Sequence, residues 1–159
     1  METIRVILAE DQTLVWAGVR ALLAQMEGIQ VVAEVTQGHM VLSLVEDYQP
    51  EVMLIDLSMP GLNGLEATTL VAQAFPHVRI LILSPHANEE YARQALQAGA
   101  TGYLLKDSSV AELELALRSV LKGEIYLSPA VSKQATELLQ TLHEESSLER
   151  LTPRQREVL

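Results

Sequence analysis

The chain has 159 residues, of which 48% are apolar and 20% charged, and its formal net charge is −10. This composition excludes a disordered chain, the length suits one domain plus an appendage, and the charge argues against binding a nucleic-acid phosphate backbone. The chain lacks cysteine and any apolar run long enough to cross a bilayer, which excludes disulfides and membrane-spanning helices and leads us to expect a cytoplasmic protein with no membrane partner.

Short β-branched runs alternate with amphipathic segments five times along the chain. The runs are IRVILA (4–9), QVVAEV (30–35), EVMLID (51–56), VRILILS (78–84) and TGYLLK (101–106). Several are continuously apolar, as in parallel strands whose two faces are covered by helices. The order predicts an α/β fold of the flavodoxin-like type, a (βα)5 doubly wound parallel five-stranded sheet with right-handed crossovers.

The segments between these runs have helical patterns. In the first, an apolar stripe predicts the buried face, made of Val15, Val19, Leu22, Leu23 and Met26. Trp16 lies about a quarter turn from that stripe, which predicts a partly exposed indole.

The third segment is predicted to run from about Asn63 to Ala74. Asn88 and Gly99 are predicted to bound the fourth helix, and Ser108 or Ser109, with Glu112 as a capping box, to open the fifth.

The pattern changes after Gly123. Residues 128–145 read as a lone amphipathic helix with Pro129 in its first turn, and Thr152-Pro153 reads as a fresh helix start after a Ser-rich joint. We therefore predict a first domain over residues 1–122, a linker with a helix over 123–147, and a truncated further domain over 148–159.

Polar side chains end or follow four of the predicted strands. Glu10 and Asp11 come after the first strand, Asp56 ends the third, Ser84 ends the fourth and Lys106 ends the fifth. Ligands of open α/β sheets bind outside the carboxyl ends of the strands. We therefore expect these five side chains to converge on one edge of the sheet.

Three carboxylates at one edge raise each other's pKa unless a cation offsets their charge. A hard divalent ion such as Mg²⁺ prefers oxygen ligands and takes few protein carboxylates. With such an ion, Asp56 can attack a phosphoryl group, while the Lys106 ammonium and the Ser84 hydroxyl engage the phosphoryl oxygens. The edge is thus a predicted phosphoryl-transfer site.

The set of residues resembles the receiver domain of two-component response regulators. The resemblance covers residues 4 to about 122 and rests on the acidic pair, on Asp56 followed by MPGLNG, on Ser84 and on GYLLKD. The strings EEYARQALQAGATGYLLKD, EIYLSPAV and LTPRQREVL are similar to the NarL/FixJ family, whose receiver is joined by a linker to a LuxR-type helix-turn-helix.

The resemblance implies a role for each residue. Asp56 would be the phosphoacceptor. Mg²⁺, or Mn²⁺ in its place, would be bound by Asp11, Asp56 and the Ser58 backbone carbonyl, with Glu10 acting mainly through a water. Lys106 and Ser84 would sense the phosphoryl group, and Tyr103 would be the aromatic switch that turns inward when Ser84 moves.

The resemblance also implies partners and an activity. A sensor histidine kinase would donate the phosphoryl group, phosphorylation would promote a homodimer, and a C-terminal DNA-binding domain missing from this chain would control transcription. The protein would act chemically on itself and would not turn over an external substrate. The fragment alone is not expected to bind DNA.

Three further residues are candidates for modulating the site: Pro85, His86 and Trp16. Pro85 has no N–H, so a backbone donor that receivers usually offer to the phosphoryl group is missing. It also favours extended geometry at Ser84. The hypothesis is a weaker or shorter-lived phosphorylation. Trp16 stands where the family usually has a basic residue.

Three other functions share parts of this pattern. An aspartate-nucleophile phosphohydrolase would need a second acid two residues after Asp56, and Ser58 stands there. A flavodoxin-like electron carrier would bind a phosphate in the first loop, where Glu10 and Asp11 would repel it. The remaining alternative is an interaction module that uses the receiver fold without phosphorylation. Pro85 supports it.

Overall fold

The structure, a computed structural model, describes residues 3–10, 14–57, 63–85, 87–106, 108–129 and 131; of Leu14 and Val15 it describes the backbone alone. Within these residues one sheet has six strands, all parallel: β1 (Ile4–Ala9), β2 (Ile29–Val35), β3 (Val52–Asp56), β4 (Arg79–Ser84), β5 (Gly102–Leu105) and β6 (Tyr126–Leu127). Their order is β2-β1-β3-β4-β5-β6.

In the part of the chain that the structure describes, five α-helices connect or follow the strands: α1 (Leu14–Gln25), α2 (Val41–Tyr48), α3 (Gly64–Ala74), α4 (Glu89–Ala98) and α5 (Val110–Leu121). A short 3₁₀ turn, Gly38–Met40, precedes α2. The predicted doubly wound parallel sheet is confirmed. It contains one strand more than the five we predicted, because the two-residue strand β6 is too short to give an apolar pattern.

The sheet divides the core into two parts. On one face the strands contribute Val6, Leu8, Val52, Leu54, Leu81, Leu83 and Leu104, which pack against α1 and α5. The other face packs against α2, α3 and α4. Strand β3 is wholly buried along its length, which explains why its apolar run shows no alternation.

The predicted helix ends are present. The side chains of Asn63, Asn88 and Ser109 accept hydrogen bonds from backbone N–H groups of the helices that they open. Gly99 ends α4 in the left-handed region with φ 111°. An added Cβ at Gly99 would lie 2.5 Å from the Ala72 Cβ, so the position requires glycine for conformation and for space.

The prediction for Trp16 was wrong. Its side chain is 0% exposed and packs with Val19 and Leu23 against the sheet. These residues are spaced i, i+3 and i+7, so the buried stripe of α1 is rotated from the one that we predicted. Leu22 and Met26 lie at its border, partly buried.

Strand β6 lies in the segment that we predicted as linker. It pairs with β5, and the following residue, Ser128, is buried. The Ser128 hydroxyl accepts a hydrogen bond from Leu105 N at 2.9 Å, and Ser128 N donates to Tyr103 O at 3.0 Å. The chain after α5 therefore lies against the strand that carries Tyr103. Most of the predicted linker helix over 128–145, and all of 148–159, lie outside the described residues.

Among the described residues, every helix is too short or too polar to cross a membrane.

Candidate functional site

Strand pairing brings four predicted site residues to one edge of the sheet. Ala9 is in register with Ile55, so Glu10 and Asp56, one residue further along each strand, are neighbours. Asp56 is in register with Leu83, and Ser84 with Leu105. The polar ends of β1, β3, β4 and β5 are thus consecutive along the carboxyl edge, as predicted.

The Asp56 carboxylate is the centre of this arrangement. It is 0% exposed, and its Oδ2 accepts from Lys106 Nζ at 3.1 Å. Trp16 Nε1 donates to the same oxygen at 2.8 Å. A buried carboxylate is costly unless charge and hydrogen bonds compensate it, and these two donors supply both.

Glu10 is compensated from helix α1. It is 2% exposed, and its Oε1 forms an ion pair with Arg20 Nη1. Arg20 also reaches Glu34 at the end of β2, with Nε 3.1 Å from Oε1. Arg20 therefore ties α1 to the carboxyl ends of two strands and places a positive charge beside the acids of this edge.

Ser84 and Tyr103 form a second polar contact at the edge. Both are 0% exposed, and the two side chains share a hydrogen bond. Burial raises the pKa of the Tyr103 hydroxyl above its ordinary value, the bond with Ser84 offsets part of this shift, and Tyr91 adds to it. The ring of Tyr103 points into the core in this structure.

Glycine allows α3 to begin directly against Asp56. An added Cβ at Gly64 would lie 2.7 Å from Asp56 O and 2.7 Å from Leu57 Cα. Gly64 N donates to Leu57 O at 3.0 Å, which closes the connection after β3. The backbone at and directly after Asp56 is therefore packed against the first turn of α3.

Pro85 is exposed beside this edge. The Ser84 carbonyl before it accepts a hydrogen bond from Lys106 N at 2.9 Å, so the ends of β4 and β5 stay paired as far as these residues. Ser84 belongs to β4, in agreement with the extended geometry expected before a proline.

Three predicted site residues lie outside the described residues: Asp11, Ser58 and His86. Within the described ranges there is no cluster of three or more His, Cys, Asp or Glu side chains that could hold a metal ion. The two acids that are described, Glu10 and Asp56, are buried oxygen donors at neighbouring strand ends. Their chemistry fits a hard divalent cation such as Mg²⁺.

Two contacts at this edge were missed by reasoning from sequence. The bond from Trp16 to Asp56 was missed because the indole was expected to be partly exposed. Arg20 was not singled out, although its spacing of i+4 from Trp16 places both side chains on one helical face. That spacing, together with the acidic end of the neighbouring strand, was the available signal.

Comparisons with a family pattern and with known relatives agree on one family. The pattern of the response regulator receiver domain matches residues 6–118. The response regulator GacA of Pseudomonas aeruginosa is 33% identical over 153 residues, which is 96% of this chain and 72% of GacA.

Solved structures give the same result. A LuxR-family two-component response regulator from Aurantimonas sp. SI85-9A1 has a TM-score of 0.80 at 34% identity, over 86% of this chain and 97% of that one. The isolated receiver domain of RcsB from Salmonella enterica serovar Typhimurium, solved with the phosphomimetic BeF3−, has a TM-score of 0.75 at 27% identity, over 83% and 98% of the two chains.

Proposed function

Because the chain belongs to the response regulator receiver domain family, we propose that Asp56 accepts a phosphoryl group from a sensor histidine kinase and that this modification switches the protein. The observation that carries the proposal is the wholly buried Asp56 carboxylate in contact with the Lys106 ammonium. A buried acid with its own cation, at the edge where α/β sheets bind ligands, is better explained as a nucleophile than as a residue that only ends the strand.

The residues at this edge have different roles in the phosphoryl transfer. An oxygen of Asp56 attacks phosphorus, and the bond to the donor's imidazole nitrogen breaks. Lys106 and Ser84 then lie where their N–H and O–H groups can donate to the phosphoryl oxygens. Asp56, Glu10 and, outside the described residues, Asp11 and the Ser58 carbonyl would hold Mg²⁺ or Mn²⁺. When bound, the ion offsets the charge of the acids and of the phosphoryl group.

We propose that Tyr103 responds to the position of the Ser84 hydroxyl. The two side chains are hydrogen-bonded in the core, so a Ser84 hydroxyl that moves toward a phosphoryl oxygen must give up or rearrange this bond. The main chain of Tyr103 is bonded to Ser128, so the response can reach the segment after α5. This contact supports a role for Tyr103 in transmitting the signal.

The partners are proposed by analogy with the relatives. Known relatives of the chain are response regulators, and they are not turnover enzymes. We expect a phosphorylation-promoted homodimer and control of transcription through a DNA-binding domain outside this chain. GacA extends beyond the part matched here, since the chain spans 72% of its length.

Phosphorylation can be tested directly. The protein is incubated with Mg²⁺ and acetyl phosphate and run on a phosphate-affinity gel, beside Asp56→Ala and the matched control Asp47→Ala, which removes an exposed acid of α2. We expect a retarded band for the wild type and for Asp47→Ala, none for Asp56→Ala, and none when a chelator removes the metal. A retarded band of equal intensity in Asp56→Ala would exclude Asp56 as the acceptor.

One observation favours a second candidate, a phosphorylation-independent interaction module. Pro85 removes a backbone donor directly after Ser84. If neither acetyl phosphate nor a phosphorylated histidine kinase produces an Asp56-dependent band, this second function becomes the better account. The buried Asp56–Lys106 pair favours the first.

A further inference from the structure

The indole of Trp16 makes a direct contact with the proposed nucleophile. Nε1 lies 2.8 Å from Asp56 Oδ2, and both side chains are 0% exposed. Lys106 donates to the same oxygen. Asp56 Oδ2 therefore accepts from two different kinds of donor, a charged ammonium and a neutral indole N–H. Trp16 is the only tryptophan of the chain.

Helix α1 holds the indole in place. Val19 and Leu23, on the same helical face, are buried against the sheet. One turn after Trp16, Arg20 is bonded to Glu10 and Glu34. Because the helix is attached at these points, the indole N–H cannot readily follow an acceptor that moves away from it.

Phosphorylation changes the acceptor of this bond. The Asp56 oxygen that attacks forms the new bond to phosphorus, the bond from phosphorus to the donor's nitrogen breaks, and the leaving imidazole takes up the electron pair and a proton. The carboxylate becomes an acyl phosphate. Its own negative charge is lost, because the electron pair and the proton are taken up by the imidazole, and the phosphoryl oxygens carry the charge that they brought with them. Whether Oδ2 becomes the carbonyl or the bridging oxygen, it accepts as a neutral atom.

Hydrogen bonds to an ionised acceptor are roughly twice as strong as bonds between neutral groups. The bond from Trp16 is therefore stronger before phosphorylation than after it, and a contact that favours one state shifts the equilibrium toward that state. Resting on the function proposed above, we propose that Trp16 is a positioning residue that orients the Asp56 carboxylate and opposes its phosphorylation.

Binding of BeF3− in the presence of Mg²⁺ measures this effect at equilibrium. The variants are Trp16→Phe and a protein in which the single tryptophan is replaced biosynthetically by benzothienylalanine, which keeps the shape of the indole and lacks its N–H. We expect the benzothienylalanine protein to bind BeF3− about threefold to tenfold more tightly than the wild type, measured by calorimetry. Trp16→Phe should also raise the affinity for BeF3−. Because this variant removes volume from the core as well, the benzothienylalanine protein gives the decisive comparison.

An NMR measurement checks the contact without any phosphoryl analogue. The protein has one indole ¹H–¹⁵N signal, and the bond to a carboxylate should shift its proton downfield. We expect the signal to move upfield in Asp56→Ala and to stay in place in Asp47→Ala. A signal that does not respond to Asp56→Ala would overturn the inference.

The results separate this inference from the proposed function. Equal or weaker BeF3− affinity in the benzothienylalanine protein, with normal binding by the wild type, would overturn the role of Trp16 and leave Asp56 as the phosphoacceptor. If the wild type neither binds BeF3− nor becomes phosphorylated by acetyl phosphate or a kinase, both are wrong.

Discussion

Lys106 Nζ lies 3.1 Å from Asp56 Oδ2, and the carboxylate it contacts is completely buried while the lysine side chain is 15% exposed. The pair links residues fifty positions apart at the ends of strands β3 and β5. Removing one partner of such a pair leaves an uncompensated buried charge, which costs more than the pair itself contributes to stability.

Lys106→Met should therefore destabilise the fold. We expect the free energy of unfolding in urea to fall by about 2–3 kcal/mol, somewhat less than for a fully buried pair because the lysine is partly exposed. Lys122→Met, at an exposed position, is the control and should change stability by less than about 0.5 kcal/mol. Adding Asp56→Asn to Lys106→Met should restore part of the loss, and a loss that is not relieved would contradict the pairing.

Gly64 and Gly18 should respond in opposite ways to substitution by alanine. At Gly64 the new Cβ would meet the Asp56 carbonyl and Leu57 backbone at 2.7 Å, so we expect a loss of about 1–3 kcal/mol. At Gly18, inside helix α1, an added Cβ would meet nothing within 4 Å apart from the adjacent residues and the backbone of its own helix, and alanine should stabilise the helix by roughly 0.5–1 kcal/mol. Thermal unfolding of the two variants gives the comparison; a neutral Gly64→Ala would argue against the close approach.

Two tyrosines should make the stability depend on alkaline pH. Burial, with Glu112 close by, raises the pKa of Tyr126 to about 12, and burial raises that of Tyr103. Between about pH 10 and 12 the folded state then binds more protons than the unfolded one, so the free energy of unfolding falls as pH rises through this range. Tyrosinate absorbance reports the titration. In Tyr126→Phe the fall should be shallower, and an unchanged slope would refute the assignment.

Pro85→Met should lengthen the lifetime of the aspartyl phosphate, because it restores a backbone N–H next to Ser84. One recovered hydrogen bond of about 1 kcal/mol corresponds to a lifetime about fivefold longer. Loss of label from the phosphorylated protein measures the lifetime, with Pro76→Ala as a control at an exposed proline distant from the site. Equal lifetimes for wild type and Pro85→Met would show that the missing donor has no effect.

Much of the fold and of the site follows from the sequence. The apolar runs and the polar residues that end them are local features, and a parallel sheet brings such ends together whatever the connecting helices contain. This is why Glu10, Asp56, Ser84 and Lys106 could be placed on one edge. The helix ends at Asn88 and Ser109 were predictable for the same reason, since a cap depends on a few adjacent residues.

What could not be predicted depends on how elements are placed relative to each other. Trp16 lies in the first turn of α1, over the edge of the sheet where a polar acceptor is present. A helical wheel shows which residues share a face but not that this face meets a carboxylate. Strand β6 is similar, because two residues carry no periodicity and their pairing depends on the neighbouring edge of β5.

The uniform burial of β3 has a consequence for strand register. Val52, Met53, Leu54 and Ile55 are all 0% exposed, so a shift of the strand by one residue would still bury apolar side chains on both faces. Alternation of apolar and polar side chains normally fixes the register of a strand. These four residues do not alternate, so they do not favour the native register over one shifted by a residue. A one-residue shift would, however, turn Asp56 to the opposite face, away from the donors of Trp16 and Lys106. The acid at the end of the strand thus distinguishes the native pairing from its nearest competitors.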